Sequence, residues 1–212
     1  MFDNYNLPND EIHLGILMKF DYLKGRLIKG QKDIKGERGS GKRVEPDEFV
    51  PAEHILHDLI RGFYKPKGKE YILSYQATEN SENYGTQIGW INNNQGLFSV
   101  INMLPPSRLK DNRAKSDINA ARYNLENKIP IGIFHRVGKG INRCLGLGLI
   151  HSETKDGIFI VKPISLIDDL EIYNNRITDL SNIDVTEKES LIKVRIGQSK
   201  FKKYLLEERN SC

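Results

Sequence analysis

Residues 36–43, GERGSGKR, space three glycines and Lys42 much as a phosphate-binding loop does. A nucleotide-hydrolysing loop needs Ser or Thr directly after this lysine to ligate Mg²⁺, and a helix must start there so that its N–H groups meet the phosphates. Arg43 stands at that position, and Pro46 and Pro51 follow and oppose a helix. The stretch therefore does not predict an NTPase.

The five histidines include one close pair, His54-x-x-His57, which a helix would bring to one face. No cysteine or third histidine stands at ligand spacing beside the pair, so a structural role is favoured. A nuclease metal site built from these histidines and nearby carboxylates stays an alternative. Cys144 and Cys212 are too far apart for a disulfide framework, and no serine or cysteine motif for nucleophilic catalysis appears.

The charge is modest in total but uneven along the chain. The 32 basic and 28 acidic residues give a net charge of +4, yet residues 24–43 hold eight Lys or Arg against two acidic residues. Such a run is typical of a solvated loop or of a surface that meets phosphates. No apolar run approaches a membrane span or a signal peptide, so a cytoplasmic, soluble protein is expected.

Short β-branched segments bounded by Gly, Asn, Asp or Pro predict strands along most of the chain. These segments are residues 12–20, 71–75, 86–91, 129–137, 144–150 and 157–164. Two segments predict helices, residues 53–61 and 116–127, and in the second Ile118, Ala121 and Leu125 share one face. We therefore expect an α+β, mostly β fold, and the strand spacing is typical of a barrel or a sandwich.

Five segments of the sequence occur in an order that is typical of one protein family. They are PNDEIHLGILMKF, HDLIRGFYKPKGKEYILSY, ENSENYGTQIGWINNNQG, the helix before NKIPIGIFHRV, and RCLGLGLIHSETKDGIFIVKPI. Together they resemble an SRA domain (SET- and RING-associated, also called YDG). The resemblance implies a twisted SRA-like β-barrel with flanking helices over residues 7–166, in which the first piece is a strand. Residues 130–133, PIGI, depart from it, because the family has an arginine where Gly132 stands.

SRA domains bind duplex DNA and turn a modified cytosine out of the stack into a pocket. Aromatic rings sandwich the base there, and a carboxylate or backbone groups read its edge. The resemblance implies that Trp90 supplies one ring and that Tyr75 or Tyr84 supplies the other. A carboxylate would accept from the cytosine N4 amino group, and an amide would serve a different base edge. The candidates for these polar roles are Glu79, Glu82, Asn80 and Asn83.

Phosphate contacts would come from the basic residues of three regions, which position the duplex without reading its sequence. The candidates are Lys42, Arg43, Arg61, Lys65, Lys67, Arg108, Lys110 and Arg113. The implied partner is double-stranded DNA that carries 5-methyl- or 5-hydroxymethylcytosine. No membrane partner is expected, a homodimer is left open, and a related PUA-like barrel that binds RNA is a further alternative.

The end of the chain carries a second resemblance. Residues 194–212, VRIGQSKFKKYLLEERNSC, are similar to the lead-in of an HNH endonuclease domain. We expect a linker over residues 167–192 and the beginning of an HNH domain, with a basic helix, over residues 193–212. An HNH centre needs a histidine base and ligands for a divalent metal, and the chain stops before them. The sequence thus predicts the recognition part of a modification-dependent HNH restriction endonuclease, without a cofactor or hydrolysis of its own.

Overall fold

The computed structural model describes residues 5–29, 54–58, 62–78, 86–91, 94–106 and 111–165. The helices are α1 (Glu11–Tyr22) and α2 (Asn112–Asn127). The strands are β1 (Leu27–Lys29), β2 (Phe63–Tyr64), β3 (Ser74–Thr78), β4 (Ile88–Ile91), β5 (Asn94–Met103), β6 (Ile131–Gly138), β7 (Ile141–Glu153) and β8 (Phe159–Ile164). The prediction of an α+β, mostly β fold is confirmed. All of these elements belong to the unit Met1–Ile164, and the predicted linker 167–192 and HNH segment 193–212 lie outside the described residues.

The strands form one mixed sheet of eight strands in the order β2-β3-β6-β7-β8-β5-β4, with β1 paired to the beginning of β7. β3 and β6 are parallel, and the other pairs are antiparallel. No pairing joins β2 to β4 within the described ranges, so the sheet is not closed into the predicted barrel there. β2 has only two residues and β4 only four, whereas closure needs continuous pairing around the ring.

α1 stands where the sequence predicts a strand over residues 12–20, so that prediction is wrong. Asp10 caps the helix, because its carboxylate accepts hydrogen bonds from two backbone N–H groups of the first turn at 3.0 and 3.2 Å. The buried residues recur at helical spacing, as His13, Ile16, Leu17 and Phe20. This repeat places one face of a helix against the sheet. The first piece of the SRA resemblance is therefore a helix in this chain.

Residues 54–58 are not helical, so the helix predicted over residues 53–61 is wrong for its described part. Leu56 and His57 are adjacent in sequence, and both are fully buried. The Ser74 hydroxyl donates a hydrogen bond to the Leu56 carbonyl at 2.7 Å, and His57 Nδ1 lies 2.8 Å from the same hydroxyl oxygen. These hydrogen bonds hold the segment against Ser74, the first residue of β3.

α2 confirms the helix predicted over residues 116–127 and begins earlier, at Asn112. Its Asn124 side chain is fully buried. The amide oxygen accepts from the Ile72 backbone N–H at 2.8 Å, and the amide nitrogen donates to the carbonyls of Ile72 and Ile129 at 3.1 and 3.3 Å. One side chain therefore holds α2 against the chain segments that lead into β3 and β6.

The hydrophobic core lies on the face of the sheet that α2 covers, where Ala120 and Ala121 pack against strand residues such as Ile133. α1 covers the other face, and its Phe20 ring lies 5.0 Å from the ring of Phe134. Because side chains alternate along a strand, neighbouring residues of β6 face the two helices in turn. Neither described helix has the length and apolar character that crossing a membrane requires.

The sequence patterns do not predict β1, β2 or β5. β1 and β2 have three and two residues, which is too short for an alternating pattern to show. β5 has ten residues, but it begins with Asn94-Gln95-Gly96, and Asn and Gly are depleted in strands. Pairing with β4 and β8 nevertheless extends this segment, so tertiary context overrides a weak local preference.

Candidate nucleic-acid interface

Five of the predicted DNA-binding residues are described: Tyr75, Trp90, Lys65, Lys67 and Arg113. The structure does not place the others, because they lie outside the described residues: Tyr84, Glu79, Asn80, Glu82, Asn83, Lys42, Arg43, Arg61, Arg108 and Lys110. The described residues on either side of these segments define the candidate site.

One end of the sheet brings several of these features together. β3 and β6 run parallel and end side by side, with Thr78 paired to Arg136. β6 then turns through Lys139 and Gly140 into β7, and we call this region the hairpin end. Trp90 of β4 lies here, because its ring centroid is 5.2 Å from that of His135 on β6, with the planes at 55°.

Trp90 lies at the rim of the hydrophobic core. Its side chain is partly buried and packs against the core residues. The pairing of β4 with β5 shifts register on both sides of Trp90, and such irregularities re-aim a side chain relative to a regular strand. A tryptophan held at a rim, with support from a second ring, is suited to stack a planar base.

Tyr75, the other described aromatic candidate, lies inside the core and is only 2% exposed. Its hydroxyl donates to Gln87 Oε1 at 3.1 Å and accepts from the Leu104 backbone N–H at 3.3 Å. Its ring meets the ring of Phe63 edge to face at 5.4 Å. A stacking role for Tyr75 would require this ring to leave the core. Trp90 is only partly buried and needs no such movement.

Residues 79–85 carry most of the predicted base-reading side chains, and both flanks of this segment are described. Gln87 Oε1 accepts from the Thr78 backbone N–H at 3.2 Å as well as from the Tyr75 hydroxyl. The Gln87 carbonyl accepts from the Asn102 N–H of β5 at 2.8 Å. One buried glutamine thus fixes the beginning and the end of the segment next to each other at the hairpin end.

The hairpin end carries three basic residues that were not among the phosphate-binding candidates predicted from the sequence. Arg136 and Lys139 are exposed. Arg143 is the cross-strand partner of His135, so both side chains leave the same face of the sheet. The Arg143 Nε atom is buried and has no hydrogen-bond partner among the described residues. The signal was the stretch HRVGKGINR, residues 135–143, which spans the end of one predicted strand and the connection to the next, because a hairpin gathers the basic residues of both strand ends.

The described phosphate candidates lie away from the hairpin end or are already paired. Lys65 and Lys67 belong to the turn after β2, which pairs antiparallel with β3 and leaves this turn beside Ser74. The Arg113 guanidinium lies 4.0 Å from the Asp58 carboxylate. The structure therefore places Lys65 and Lys67 at the opposite end of β3 from Trp90, and it gives Arg113 an acidic neighbour.

The buried histidine and serine do not form a nucleophilic pair. Since the Ser74 hydroxyl donates to the Leu56 carbonyl, its oxygen accepts from a protonated His57 Nδ1. That is the reverse of the arrangement in which a histidine takes the proton from a serine nucleophile. Both residues are fully buried, and the described residues contain no group of three or more His, Cys, Asp or Glu that could hold a metal ion.

Cys144 is the one cysteine among the described residues, and it is fully buried. Its thiol donates to the Phe20 carbonyl at 3.3 Å, and burial raises the pKa of the thiol to about 12. The thiolate is the reactive form of cysteine, so Cys144 acts as a core residue between β7 and α1.

No protein-family model, no curated protein and no solved structure matches this chain. The functional assignment therefore depends on the residues of the hairpin end and on the sequence resemblance.

Proposed function

We propose that this chain is the DNA-recognition module of a modification-dependent HNH restriction endonuclease. In this proposal the chain has an SRA-like fold, binds duplex DNA, and turns a 5-methyl- or 5-hydroxymethylcytosine out of the helix against Trp90. The observation that carries the proposal is the grouping at the hairpin end. A partly buried tryptophan, three basic residues and both flanks of residues 79–85 lie at this end of the sheet.

The energetics of base flipping explain why this grouping is suited to the task. Taking a base out of the stack costs a few kcal/mol, and stacking on an aromatic side chain returns roughly 1–3 kcal/mol per base. Trp90 supplies one such surface, and Tyr84 in the segment 79–85 is the second candidate. Two rings are enough to offset the cost, and hydrogen bonds to the base edge then add selectivity.

The polar residues of the segment 79–85 are the proposed readers of the base edge. Glu79 or Glu82 would accept from the cytosine N4 amino group, and Asn80 or Asn83 would serve a different edge. The hydrogen bonds of Gln87 Oε1 with the Thr78 N–H and the Tyr75 hydroxyl support this assignment, because they hold the two flanks of the segment next to each other. Arg136, Lys139 and Arg143 would hold the phosphates around the flipped nucleotide.

The nuclease part of the proposal rests on residues 194–212, which resemble the segment that precedes an HNH core. In such a core a histidine base and a divalent metal carry out phosphodiester hydrolysis. The role proposed for the module itself is therefore recognition.

The test measures the affinity of the full chain for three matched duplexes that differ in one base: cytosine, 5-methylcytosine or 5-hydroxymethylcytosine. We expect one of the modified duplexes to bind most tightly. Trp90→Ala should weaken that binding roughly tenfold or more, since a stacked base is worth about 1–3 kcal/mol. A 2-aminopurine placed beside the modified base should brighten on binding to the wild type, because flipping unstacks its neighbour.

Ile91→Ala is the matched control, because Ile91 is the next residue of β4 and its side chain is 40% exposed. It should leave the affinity unchanged, which separates loss of the ring from disturbance of the strand. Equal affinity for all three duplexes, unchanged by Trp90→Ala, would contradict the proposal. Tighter binding of single-stranded RNA than of any duplex would contradict it in favour of an RNA-binding module.

A further inference from the structure

Two basic residues lie on one face of the sheet where β1 meets the hairpin end. β1 pairs antiparallel with the beginning of β7, with Leu27 opposite Arg143 and Lys29 two residues further along β1. Exposure alternates along β1, because Leu27 and Lys29 are exposed whereas Ile28 is buried. Cross-strand partners point to the same face of a sheet, and so do residues two apart in one strand. The side chains of Lys29 and Arg143 therefore leave the same face.

Lys29 and Arg143 are diagonal neighbours on that face. Such neighbours stand about 7–8 Å apart, which is within reach of long side chains. Both side chains are cations, and like charges at this separation repel each other. An anion between them would replace this repulsion with two attractions, so the arrangement is suited to a ligand with negatively charged oxygens.

Arg143 is only partly exposed, and no described residue supplies a counter-charge for it. Its Nε atom is enclosed and has no hydrogen-bond partner among those residues. The two terminal nitrogens of the guanidinium also make no hydrogen bond or ion pair there, but unlike Nε they are not enclosed. A charge that is withdrawn from water costs free energy unless an opposite charge compensates. The terminal nitrogens are therefore the atoms that can take an anion from solvent.

Other arginines of the described ranges have partners that Arg143 lacks. Arg122 donates two hydrogen bonds of 2.8 Å to the Glu153 carboxylate. The Arg26 guanidinium lies over the Tyr22 ring, 4.5 Å from its centroid. These two arginines are compensated within the protein, so the lack of a partner is a particular property of Arg143 and not of arginine in this fold.

The strands around Lys29 and Arg143 carry little negative charge. β1, β6 and β7 together contain one acidic residue, Glu153, which is the last residue of β7. It lies roughly 33 Å along the strand from Arg143, and Arg122 binds it. An anion that approaches the two cations therefore meets no carboxylate from these strands.

We propose that Lys29 and Arg143 together bind one phosphate group on this face of the hairpin end. A guanidinium offers parallel N–H donors to two phosphate oxygens, and an ammonium adds a compact positive charge. The group can belong to a DNA backbone or to free phosphate, since both present the same oxygens. For DNA as the source the inference rests on the function proposed above, to which it adds Lys29 as a phosphate ligand.

The first experiment follows the wild-type side chains by NMR. Inorganic phosphate at constant ionic strength and an unmodified DNA duplex are titrated separately into the full chain. We expect the ¹⁵N shifts of the Arg143 guanidinium and the Lys29 ammonium to move together with at least one probe. Movement with inorganic phosphate alone identifies free phosphate as the ligand, movement with the duplex alone identifies the DNA backbone, and movement with both identifies a site that accepts either source.

Where the duplex moves the shifts, a second experiment counts the phosphates that the two cations hold. It measures duplex affinity against salt for Lys29→Gln, Arg143→Gln and the double variant. Each single variant should weaken binding roughly tenfold, and the double variant should lose less than the product of the two losses because the residues share a ligand. Each phosphate contact contributes about 0.9 to the slope of log affinity against log salt concentration, so a shared phosphate lowers the slope of the double variant by about 0.9 and two separate phosphates by about 1.8.

Lys155→Gln is the matched control, because Lys155 is exposed in the turn between β7 and β8 and the substitution removes the same charge as Lys29→Gln. It should leave the Arg143 shifts and the salt slope nearly unchanged. Neither probe contains a modified cytosine, so loss of the preference for modified bases would leave this test standing.

The proposal is overturned if neither probe moves the two shifts together. That result needs no variant, so it does not depend on whether Arg143→Gln folds. A loss of about 1.8 in the slope of the double variant would also overturn it, because the two cations would then hold separate phosphates. An equal effect of Lys155→Gln would overturn it as well, because the probes would then respond to net charge alone.

Discussion

At the scale of single residues, burial decides which chemically capable side chains can act. The sequence offers both Trp90 and Tyr75 as stacking partners for a flipped base, yet Tyr75 is 2% exposed in the core and Trp90 lies at the rim of the core. Sequence spacing could not separate them, because they lie on different strands whose relative placement depends on long-range pairing. His13 is a similar case, because the strand predicted over residues 12–20 did not indicate that His13 lies on the buried face of a helix.

The buried His13 imidazole should make folding sensitive to acid. The imidazole has a pKa of about 4 in the folded protein against 6.5 without burial. Below pH 6.5 the unfolded chain takes up a proton that the folded chain refuses until about pH 4. The free energy of unfolding should therefore fall as the pH drops through this window, by up to about 3 kcal/mol from this residue.

Urea unfolding of the wild type and of His13→Phe, at several pH values across this window, measures the effect. The variant should lose less stability on acidification. At pH 7 it should be at least as stable, because it removes two buried ring nitrogens that have no hydrogen-bond partner among the described residues. The neighbouring charged groups are Asp10 and Lys69. Burial raises the pKa of Asp10, but bonds from the His13 N–H and Lys69 outweigh burial and leave it below 3.8. If the free energy of unfolding fell with pH by the same amount in both proteins, the prediction would be contradicted.

At the scale of elements, α1 is the instructive difference between sequence and structure. The apolar stretch of residues 12–20 matches a strand by composition, but Asp10 before it and the spacing of Ile16, Leu17 and Phe20 match a capped helix. Gly132 of β6 is the position where the SRA pattern has an arginine. The structure gives a physical reason for the glycine, because the Phe20 ring of α1 occupies the space of a side chain there.

Gly132→Ala should therefore separate α1 from the sheet. A Cβ atom at this position would lie 2.3 Å from Phe20 Cε2 and 2.4 Å from two further ring atoms. We expect a loss of about 1–3 kcal/mol in the free energy of unfolding, as overpacking usually costs. Urea titration followed by circular dichroism measures it. Gly138→Ala is the control in the same strand, since its nearest neighbour would lie 3.8 Å away.

Phe20→Leu in the Gly132→Ala background tests the cause. If the clash with the ring is responsible, the double variant should lose less stability than the sum of the two single variants, because contacting residues are not additive. Equal costs for the two glycine substitutions, or strict additivity with Phe20→Leu, would show that the ring is not what Gly132 accommodates.

At the scale of the whole molecule, the sequence predicts the class of the fold but not its connectivity. Short β-branched segments predict strands that overlap β3, β4, β6, β7 and β8, and an apolar stripe predicts α2. The parallel pairing of β3 with β6 joins strands more than fifty residues apart, with the register Ser74 to Gly132. No local pattern encodes such a contact. The basic hairpin itself is local in sequence, but Trp90 of β4 lies against His135 of β6 only through this non-local order.

Whole-molecule electrostatics give the last prediction. A net charge of +4 is small, so DNA affinity should depend on where the basic residues lie. Arg136 and Lys139 are exposed at the hairpin end, and Trp90 lies at the same end of the sheet, against His135. Each phosphate contact contributes about 0.9 to the slope of log affinity against log salt concentration. Replacing both residues with glutamine should therefore lower that slope by about 2, and it should weaken modified and unmodified duplexes equally.

Lys155 and Lys162 provide the matched control, because both are exposed and their double replacement with glutamine removes the same charge from another region. That control should leave the slope nearly unchanged. If the two double variants reduce the slope equally, DNA responds to net charge alone, and the hairpin end is not the contact surface. If Arg136→Gln with Lys139→Gln instead removes discrimination between the duplexes, these residues read the base and the division of roles with Trp90 is wrong.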